Sequence, residues 1–347
     1  MLIIGCDFHT RFQQIAMLDR ETGEVTERRL EHENGEARKF YEELPKPVLV
    51  GIESTGFTIW FDEMLRELGH ELAVGEAAKI RRMEARKQKH DRRDAGHILN
   101  LLVRGDFPRI WLPKVEERDV RVWLEHRHQL VQMRTRAKNG LQAIALNYGM
   151  CRREKLWTEA GRAKLEKLPL LAGRARRRAD LLKLLEQLDQ WIAELEARLE
   201  EEAKRRPEVQ RLTTHPGVGT LTALGTVLVL GPVERFPDAR HVSSYVGLIP
   251  EEESSGGRQR FGKLSKQGNR LLRFLLVEAA QTAGRFDPGL QRCYRRLAFR
   301  KGAAHAKVAV ARKLAIRLYI MLRDRIDYVE FVRRGSHAGM LEQVALV

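Results

Sequence analysis

Four acidic residues near the start of the chain have a spacing that could hold metal ions. Asp7 lies in an otherwise apolar, β-prone run, where an acid is costly unless it coordinates something. Glu53 ends a second apolar run, and Asp91 and Asp94 open a helical stretch on one face of that helix. A carboxylate cluster repels itself unless cations fill it, and hard oxygen ligands favour Mg²⁺ or Mn²⁺. Two such ions about 4 Å apart promote displacement at a phosphodiester, so these acids predict cleavage or transfer of DNA strands.

Each of these residues also has a simpler explanation. Asp91 could be a helix N-cap, Asp94 a first-turn acid that complements the helix dipole, and Glu53 a cap of the helix that follows it. Taken together, the four acids favour metal binding over these separate roles. His9 points to the same strand face as Asp7, and an orienting or surface histidine is favoured there over a ligand.

The elements that must position these acids alternate strand and helix signals. Three short β-prone runs form an antiparallel meander, and helix, strand, helix, strand and helix follow. Their approximate bounds are 2–8, 14–18 and 25–30, then 35–44, 47–53, 60–68, 71–74 and 91–103. This is the order of the ribonuclease H-like fold, in which the first and central strands are neighbours and the last helix packs beside them. The four carboxylates are therefore expected to converge on one pocket.

The middle of the chain carries an apolar seam in an otherwise charged stretch. The seam residues alternate steps of four and three, and they are Leu181, Leu185, Leu188, Ile192, Leu195 and Leu199. This heptad pattern predicts a coiled coil between chains, with an amphipathic helix packed on its own domain as the alternative. Pro207 is expected to stop the helix.

A polar, glycine-rich loop in the last third offers a hydroxyl nucleophile. Gly256 and Gly257 would let the backbone approach a phosphate, and Ser255 is then the best placed hydroxyl for attack on phosphorus. Ser254 is the second candidate and Ser265 the third. From these residues alone, a polar hairpin that touches DNA without reacting is the favoured interpretation. The motif at 216–219, Pro-Gly-Val-Gly, resembles the hairpin of helix-hairpin-helix DNA binders, which is a weak signal by itself.

Charge indicates the partner. The net charge of +16, from 63 basic and 47 acidic residues, would concentrate a polyanion around the molecule, so nucleic acid is the first partner to consider. A basic run leads into the helix at Asp91, and its candidate phosphate contacts are Lys79, Arg81, Arg82, Arg86, Lys87 and Lys89. The candidates in the last third are Gly217, Gly219, Gly256, Gly257, Arg258, Arg260, Lys263, Lys266, Arg270 and Arg273. A solvated charge run is the alternative for the first set.

Membrane and secretory functions are disfavoured. The longest nearly apolar stretch, residues 221–230, is too short to span a bilayer, and no signal-peptide pattern starts at Met1. Cys6, Cys151 and Cys293 lie far apart without a zinc-binding spacing, so reduced thiols are expected. These features predict a cytoplasmic protein.

Several motifs along nearly the whole chain resemble, in the right order, the insertion-sequence 110/1111 transposases, which are relatives of the Piv-type DNA invertases. In the first part they are Gly5-Cys6-Asp7, Gly51-Ile52-Glu53-Ser54-Thr55-Gly56 and Lys89-His90-Asp91-Arg92-Arg93-Asp94-Ala95. In the last part they are Pro216-Gly217-Val218-Gly219, Tyr245-Val246-Gly247-Leu248-Ile249-Pro250, Ser254-Ser255-Gly256-Gly257 and Gly268-Asn269-Arg270-Leu271-Leu272-Arg273.

The resemblance implies an α/β plus α architecture. A RuvC-like domain over 1–150 would carry the DEDD tetrad Asp7, Glu53, Asp91 and Asp94, followed by a coiled-coil connector over 151–206. A mainly helical transposase domain over 207–347 would carry the catalytic serine, Ser255. Members of the family act as dimers that pair into tetramers, and a structured noncoding RNA guides them to target and donor DNA. By this likeness, Ser255 would form a covalent link to DNA while carboxylate-bound Mg²⁺ assists.

Two local departures and two rival functions accompany this interpretation. Glu251, Glu252 and Glu253 stand where relatives often have mixed or basic residues, and His90 replaces a common Thr. The first rival is a RuvC-like junction nuclease that hydrolyses DNA with the tetrad alone. The second is a non-catalytic nucleic-acid scaffold, against which the intact tetrad speaks.

Overall fold

The computed structural model of the protein describes residues 1–56, 58–83, 91–150, 155–252 and 260–335. The chain forms two compact units, Met1–Leu112 and Pro113–Val347. The domain boundary predicted from sequence motifs lies at residue 150, whereas the division between the two compact units lies between Leu112 and Pro113. The three-part division of the chain stays a prediction.

The first unit is built on a mixed five-stranded sheet. Strands β1 (Leu2–Phe8), β2 (Phe12–Asp19) and β3 (Val25–Glu31) form the antiparallel meander, and β4 (Leu49–Glu53) and β5 (Glu71–Gly75) run parallel to β1. The strand order is β3-β2-β1-β4-β5, so the first and central strands are neighbours as predicted. The α/β character is confirmed, while assignment to the ribonuclease H-like class stays a prediction.

Four helices cover the two faces of this sheet. They are α1 (Glu36–Glu42), α2 (Ile59–Glu67), α3 (Ala77–Met83) and α4 (Asp91–Arg104). Side chains alternate along each strand, so Ile4 and Cys6 of β1 join the core under α1 and α2, while Ile3 joins the core under α4. Asp7 follows the parity of Ile3 and therefore belongs to the α4 face.

Helix α4 lies directly on the backbones of β1 and β4 because glycines remove the intervening side chains. A Cβ atom at Gly5 would lie 2.3 Å from the Ala95 carbonyl oxygen and from the Leu99 amide nitrogen. A Cβ atom at Gly51 would lie 2.5 Å from Cδ1 of Leu102. Real Cβ atoms do not approach that closely, and at Gly5 the neighbours are helix backbone atoms, so only glycine permits the packing there.

The second unit begins with two long helices that pack antiparallel. These are α5 (Val115–Asn147) and α7 (Ala172–Lys204), separated by α6 (Glu159–Glu166). Ion pairs from Arg127 to Glu196 and from Arg134 to Asp189 fix the antiparallel register.

The predicted apolar seam lies between these two helices of one chain. Leu185, Leu188, Ile192 and Leu199 are buried, and Leu181 and Leu195 are partly buried. Leu188 and Ile192 pack with Leu130 of α5. The structure therefore favours the alternative in which the seam packs within its own chain, and pairing between chains stays a prediction.

The remainder of the second unit is mainly helical, as predicted. Its helices are α8 (Pro207–Thr213), α9 (Thr220–Leu230), α10 (Ala239–Tyr245), α11 (Arg270–Phe286), α12 (Pro288–Lys301), α13 (Ala303–Arg323) and α14 (Tyr328–Arg334). A two-stranded antiparallel hairpin, β6 (Pro250–Glu252) and β7 (Phe261–Leu264), interrupts them. Helix α7 ends before Pro207, which starts α8, as expected. Among the described residues, no helix is long and apolar enough to cross a membrane.

We predict that Gly5→Ala lowers the free energy of unfolding of the first unit by about 1–3 kcal/mol, because the added methyl group overpacks the contact with α4. Urea titration read by hydrogen exchange of β1 and α4 peptides measures this. Gly96→Ala is the matched control, since open space surrounds its Cβ position and alanine favours the helix by about 0.5–1 kcal/mol. Equal effects of the two substitutions would contradict the packing argument.

We predict that Leu188→Ala destabilises the α5–α7 pair by about 2–5 kcal/mol, because Leu188 is 1% exposed in a core supplied by one chain. Leu184→Ala, at a position that is 40% exposed, should cost much less. Thermal unfolding at several protein concentrations tests the assignment. A Leu188→Ala effect that grows with dilution would show instead that the seam joins two chains.

Candidate functional site

Two acids stand side by side where β1 and β4 end. The parallel register pairs Gly5 with Gly51 and Cys6 with Ile52, so Asp7 and Glu53 occupy the next step of the two strands. Each acid follows its glycine by two residues and thus shares its strand face. Helix α4 covers that face at both glycines. Gly5 and Gly51 are therefore positioning residues, a role that was not predicted from the sequence. The two-residue spacing from each glycine to its acid could have revealed it.

His9 and Asp91 complete a group of possible metal ligands with Asp7. One ligand atom from each of the three lies within 4.8 Å of the others. His9 Nε2 is 3.1 Å from Asp7 Oδ2 and 3.8 Å from Asp91 Oδ2. The imidazole therefore stands between two carboxylates, where it can orient them or serve as a ligand. An orienting or surface histidine was predicted here rather than a ligand, and the geometry is compatible with orientation of the carboxylates and with ligation.

The environment of Asp7 opposes its ionisation. Burial raises the pKa of the Asp7 carboxyl first, the nearby His9 lowers it, and the charges of Asp94 and Asp91 raise it further, with a net increase. The side chain is 19% exposed. A half-buried carboxylate that faces two like charges is stabilised by a cation, so the donor set of this site suits a divalent metal ion. Asp94 contributes to the same field, as expected from its place one helix turn after Asp91.

Glu53 has a different neighbour from the one expected. The guanidinium of Arg81 on α3 donates from Nη2 to Glu53 Oε1 at 2.7 Å. Arg81 was predicted to contact phosphate, and its ion pair with Glu53 was not predicted. The structure thus brings Asp7, Asp91 and His9 within ligand distance of one another and pairs Glu53 with an internal cation.

The rest of the basic run is only partly described. Lys79 pairs with Glu76 at 2.8 Å, and Arg82 donates to the Ala78 carbonyl of its own helix. Arg86, Lys87 and Lys89 lie outside the described residues, as does His90. Phosphate binding by this run stays a prediction.

Two of the three serine candidates belong to the segment between β6 and β7. Ser254, Ser255, Gly256, Gly257 and Arg258 lie outside the described residues, as does Glu253. Ser265, the third candidate, is described just after β7, and its Oγ is buried without a hydrogen-bond partner among the described residues. That position makes Ser265 a poor nucleophile toward a large substrate.

The base of this hairpin is tied to the helices around it. Arg273 Nη1 donates to the carbonyls of Val246, Gln267 and Gly268 at 3.1–3.3 Å. Gly247 has a φ of 72°, and a Cβ there would lie 1.8 Å from the Gln267 carbonyl oxygen. Arg273 therefore has a structural role here, and a contact between it and nucleic acid stays a prediction.

A cleft of about 590 Å³ opens beside the hairpin, between it and helices α12 and α13. Leu248, Leu264 and Val308 contribute to its apolar lining. Its basic lining residues are Lys263, Lys301, His305 and Arg312. The candidate contacts Arg260, Lys263, Lys266 and Arg270 are all exposed at or near the hairpin. This basic surface suits a polyanion.

The Pro-Gly-Val-Gly motif has a packing explanation. Gly217 has a φ of 85°, and a Cβ there would lie 2.4 Å from the Ala283 amide nitrogen of α11. Gly219 has open space around its Cβ position and begins α9 as its N-cap. The tight contact of Gly217 explains the glycine without a ligand, and nucleic-acid binding by either glycine stays a prediction.

Comparison with known proteins finds one family model that matches the first part of the chain and another that matches the last part. Residues 4–149 match the model of the DEDD-type IS110 transposases, described as "Transposase", and residues 209–295 match the model described as "Transposase IS116/IS110/IS902 family". A "Probable family 20 transposase" of Pseudomonas aeruginosa is 28% identical, with 94% of this chain and 98% of the relative covered.

Two further relatives are transposases of named insertion sequences. The transposase for insertion sequence element IS1111A of Coxiella burnetii is 31% identical, with 70% of this chain and 69% of the relative covered. The transposase for insertion sequence element IS1328 of Yersinia enterocolitica is 27% identical, with 68% and 70% covered. Matches to both family models and to relatives along most of its length show that the chain belongs to the IS110 family of transposases.

Proposed function

We propose that this transposase cleaves and exchanges DNA strands in a divalent-metal-dependent reaction, with Asp7, Glu53, Asp91 and Asp94 as its metal site and Ser255 as its nucleophile. The observation that carries the metal site is the group formed by Asp7, Asp91 and His9 at the end of β1. The raised pKa of Asp7, caused first by burial and opposed by His9, supports it. Mg²⁺ or Mn²⁺ is the proposed cofactor because the donors are mainly hard carboxylate oxygens.

Each residue has a distinct role in this proposal. Asp7 and Asp91 hold the cation, Asp94 completes the negative field, and His9 orients the Asp7 carboxylate through its 3.1 Å contact. A bound divalent cation would polarise the phosphodiester and neutralise charge on the reacting oxygens. Glu53 joins the set from β4, next to Asp7 in the sheet.

Ser255 would act by covalent catalysis. Its Oγ loses a proton and forms a bond to phosphorus, the bond from phosphorus to one deoxyribose oxygen breaks, and the departing oxygen gains a proton. The resulting phosphodiester link between protein and DNA conserves the energy of the broken bond for rejoining. The likeness of the chain to its family and the place of Ser255 between β6 and β7 support this role.

The partners follow from charge and from the family. DNA ends would lie on the basic surface around the hairpin, and a structured noncoding guide RNA would bind through the same positive field. Dimers that pair into tetramers on DNA are proposed as the active assembly. Because α5 buries the apolar seam of α7 within the chain, contacts between chains through this pair would use its outer surface.

Loss of a residue that only supports a metal ligand typically lowers activity about 10–100-fold. We predict that Asp7→Asn lowers strand cleavage by a larger factor, because the ligand itself is lost. The stability of the metal-free Asp7→Asn variant, in contrast, should be equal to or greater than that of the wild type. Ionised Asp7 destabilises the fold as pH rises through its raised pKa, so at pH 7 with chelator the variant should melt at the same or a higher temperature than the wild type. The advantage should vanish at acid pH, where the wild-type carboxyl is protonated.

Adding Mg²⁺ should reverse the order of the two melting temperatures, because a bound ion stabilises only the protein that can hold it. Differential scanning calorimetry at two pH values, with and without Mg²⁺, measures all four conditions. A variant that melts far below the wild type with chelator would contradict the electrostatic argument.

We predict that Ser255→Ala abolishes the covalent adduct between protein and DNA as well as strand exchange. Ser265→Ala should leave both within about threefold of the wild type, because the Oγ of Ser265 is buried. Ser254→Ala separates the two adjacent candidates. The gene is expressed in cells together with its flanking noncoding DNA. The assay then detects labelled DNA that migrates with the denatured protein.

The same experiment separates the rival functions. Cleavage that survives in Ser255→Ala but not in Asp7→Asn would identify a nuclease that uses the carboxylates alone. Transposition that survives both substitutions would leave only a non-catalytic scaffold.

A further inference from the structure

Arg81 is an exposed residue that occupies a carboxylate of the proposed metal site. Its side chain is 67% exposed, yet Nη2 lies 2.7 Å from Glu53 Oε1. The partner, Glu53, ends β4 on the step next to Asp7. The guanidinium therefore engages one of the two carboxylate oxygens with which Glu53 could bind a cation.

The backbone that carries Arg81 is held from two sides. Ile80 is buried against Gly75, where a Cβ atom would lie 2.7 Å from Ile80 Cδ1, so α3 is tied to the end of β5. His97 of α4 donates from Nε2 to the Ile80 carbonyl at 3.1 Å. Because α4 also carries Asp91 and Asp94, the base of the Arg81 side chain is fixed relative to all the acids of the site.

We propose that Arg81 is the resident counter-ion of Glu53, that a divalent cation must displace it, and that the released guanidinium then receives a phosphate of the DNA backbone. This inference rests on the proposed function and adds a residue that regulates loading of that site. A guanidinium forms charge-assisted hydrogen bonds equally well with a carboxylate and a phosphate. Loss of one partner therefore frees the group for the other.

Thermodynamic linkage makes the exchange reciprocal. If Arg81 competes with the cation for Glu53, a phosphate that withdraws Arg81 must strengthen cation binding by the same factor by which the cation strengthens phosphate binding. The carboxylate site would then be weakly loaded without DNA and more fully loaded on DNA.

The matched control is the next residue of the same helix. Arg82 is also exposed and carries the same charge, but its Nε donates to the Ala78 carbonyl of its own helix. Arg82→Ala therefore removes one positive charge from α3 without freeing Glu53. Any difference between the two variants reports the specific contact of Arg81 and not the net charge.

The experiment measures Mn²⁺ binding to the full chain without DNA, from the electron paramagnetic resonance signal of the unbound ion. Arg81→Ala is expected to bind Mn²⁺ about two- to fivefold more tightly than the wild type, the range set by a solvent-exposed ion pair. Arg82→Ala should bind within about 1.5-fold of the wild type, since only a screened charge is lost. Arg81→Lys keeps a positive charge at this place, so its Mn²⁺ affinity should be close to the weaker affinity of the wild type.

A short DNA duplex is then added. It should tighten Mn²⁺ binding in the wild type, and much less in Arg81→Ala. Equal or weaker Mn²⁺ binding by Arg81→Ala relative to Arg82→Ala would overturn the inference while leaving the metal site in place. Absence of Mn²⁺ binding in every variant would overturn the proposed function itself, and the inference with it.

Discussion

The close contact of α4 with the backbones of β1 and β4 is the constraint on which the first unit depends. Gly5 and Gly51 remove the side chains that would otherwise separate helix and sheet, and Asp7 and Glu53 each follow one of them by two residues. The packing that builds the core thus brings the helix to the strand ends where the acids lie. Stability and placement of the carboxylates share one cause, so a change that loosens the core also disperses the charges.

The carboxylates that this packing collects are balanced by the chain itself. His9 lies between Asp7 and Asp91, and Arg81 contacts Glu53. Without such neighbours, like charges held together by a tightly packed core would weaken the fold. The neighbours lower that electrostatic cost and remain exposed enough to be exchanged. A site of this kind can fold before its ions arrive.

The sequence predicted the five strands and three of the four described helices of the first unit because burial leaves a visible period in the residues. It gave no element for α3, whose single buried side chain, Ile80, leaves no repeat to detect. Convergence of Asp7 and Asp91 could be predicted from strand order, whereas the contact of Arg81 with Glu53 depends on tertiary structure that spacing does not encode. The seam of α7 was visible, but one stripe of leucines serves equally well against a helix of the same chain or of another.

The clamp that Arg273 forms on three carbonyls has a consequence for how this transposase can vary. It fixes the base of the β6–β7 hairpin, so the two chain ends from which residues 253–259 depart are set by the helical unit. A change at Arg273 would therefore move the ends of β6 and β7 together, so substitution at this position is more constrained than at the exposed basic residues near the hairpin.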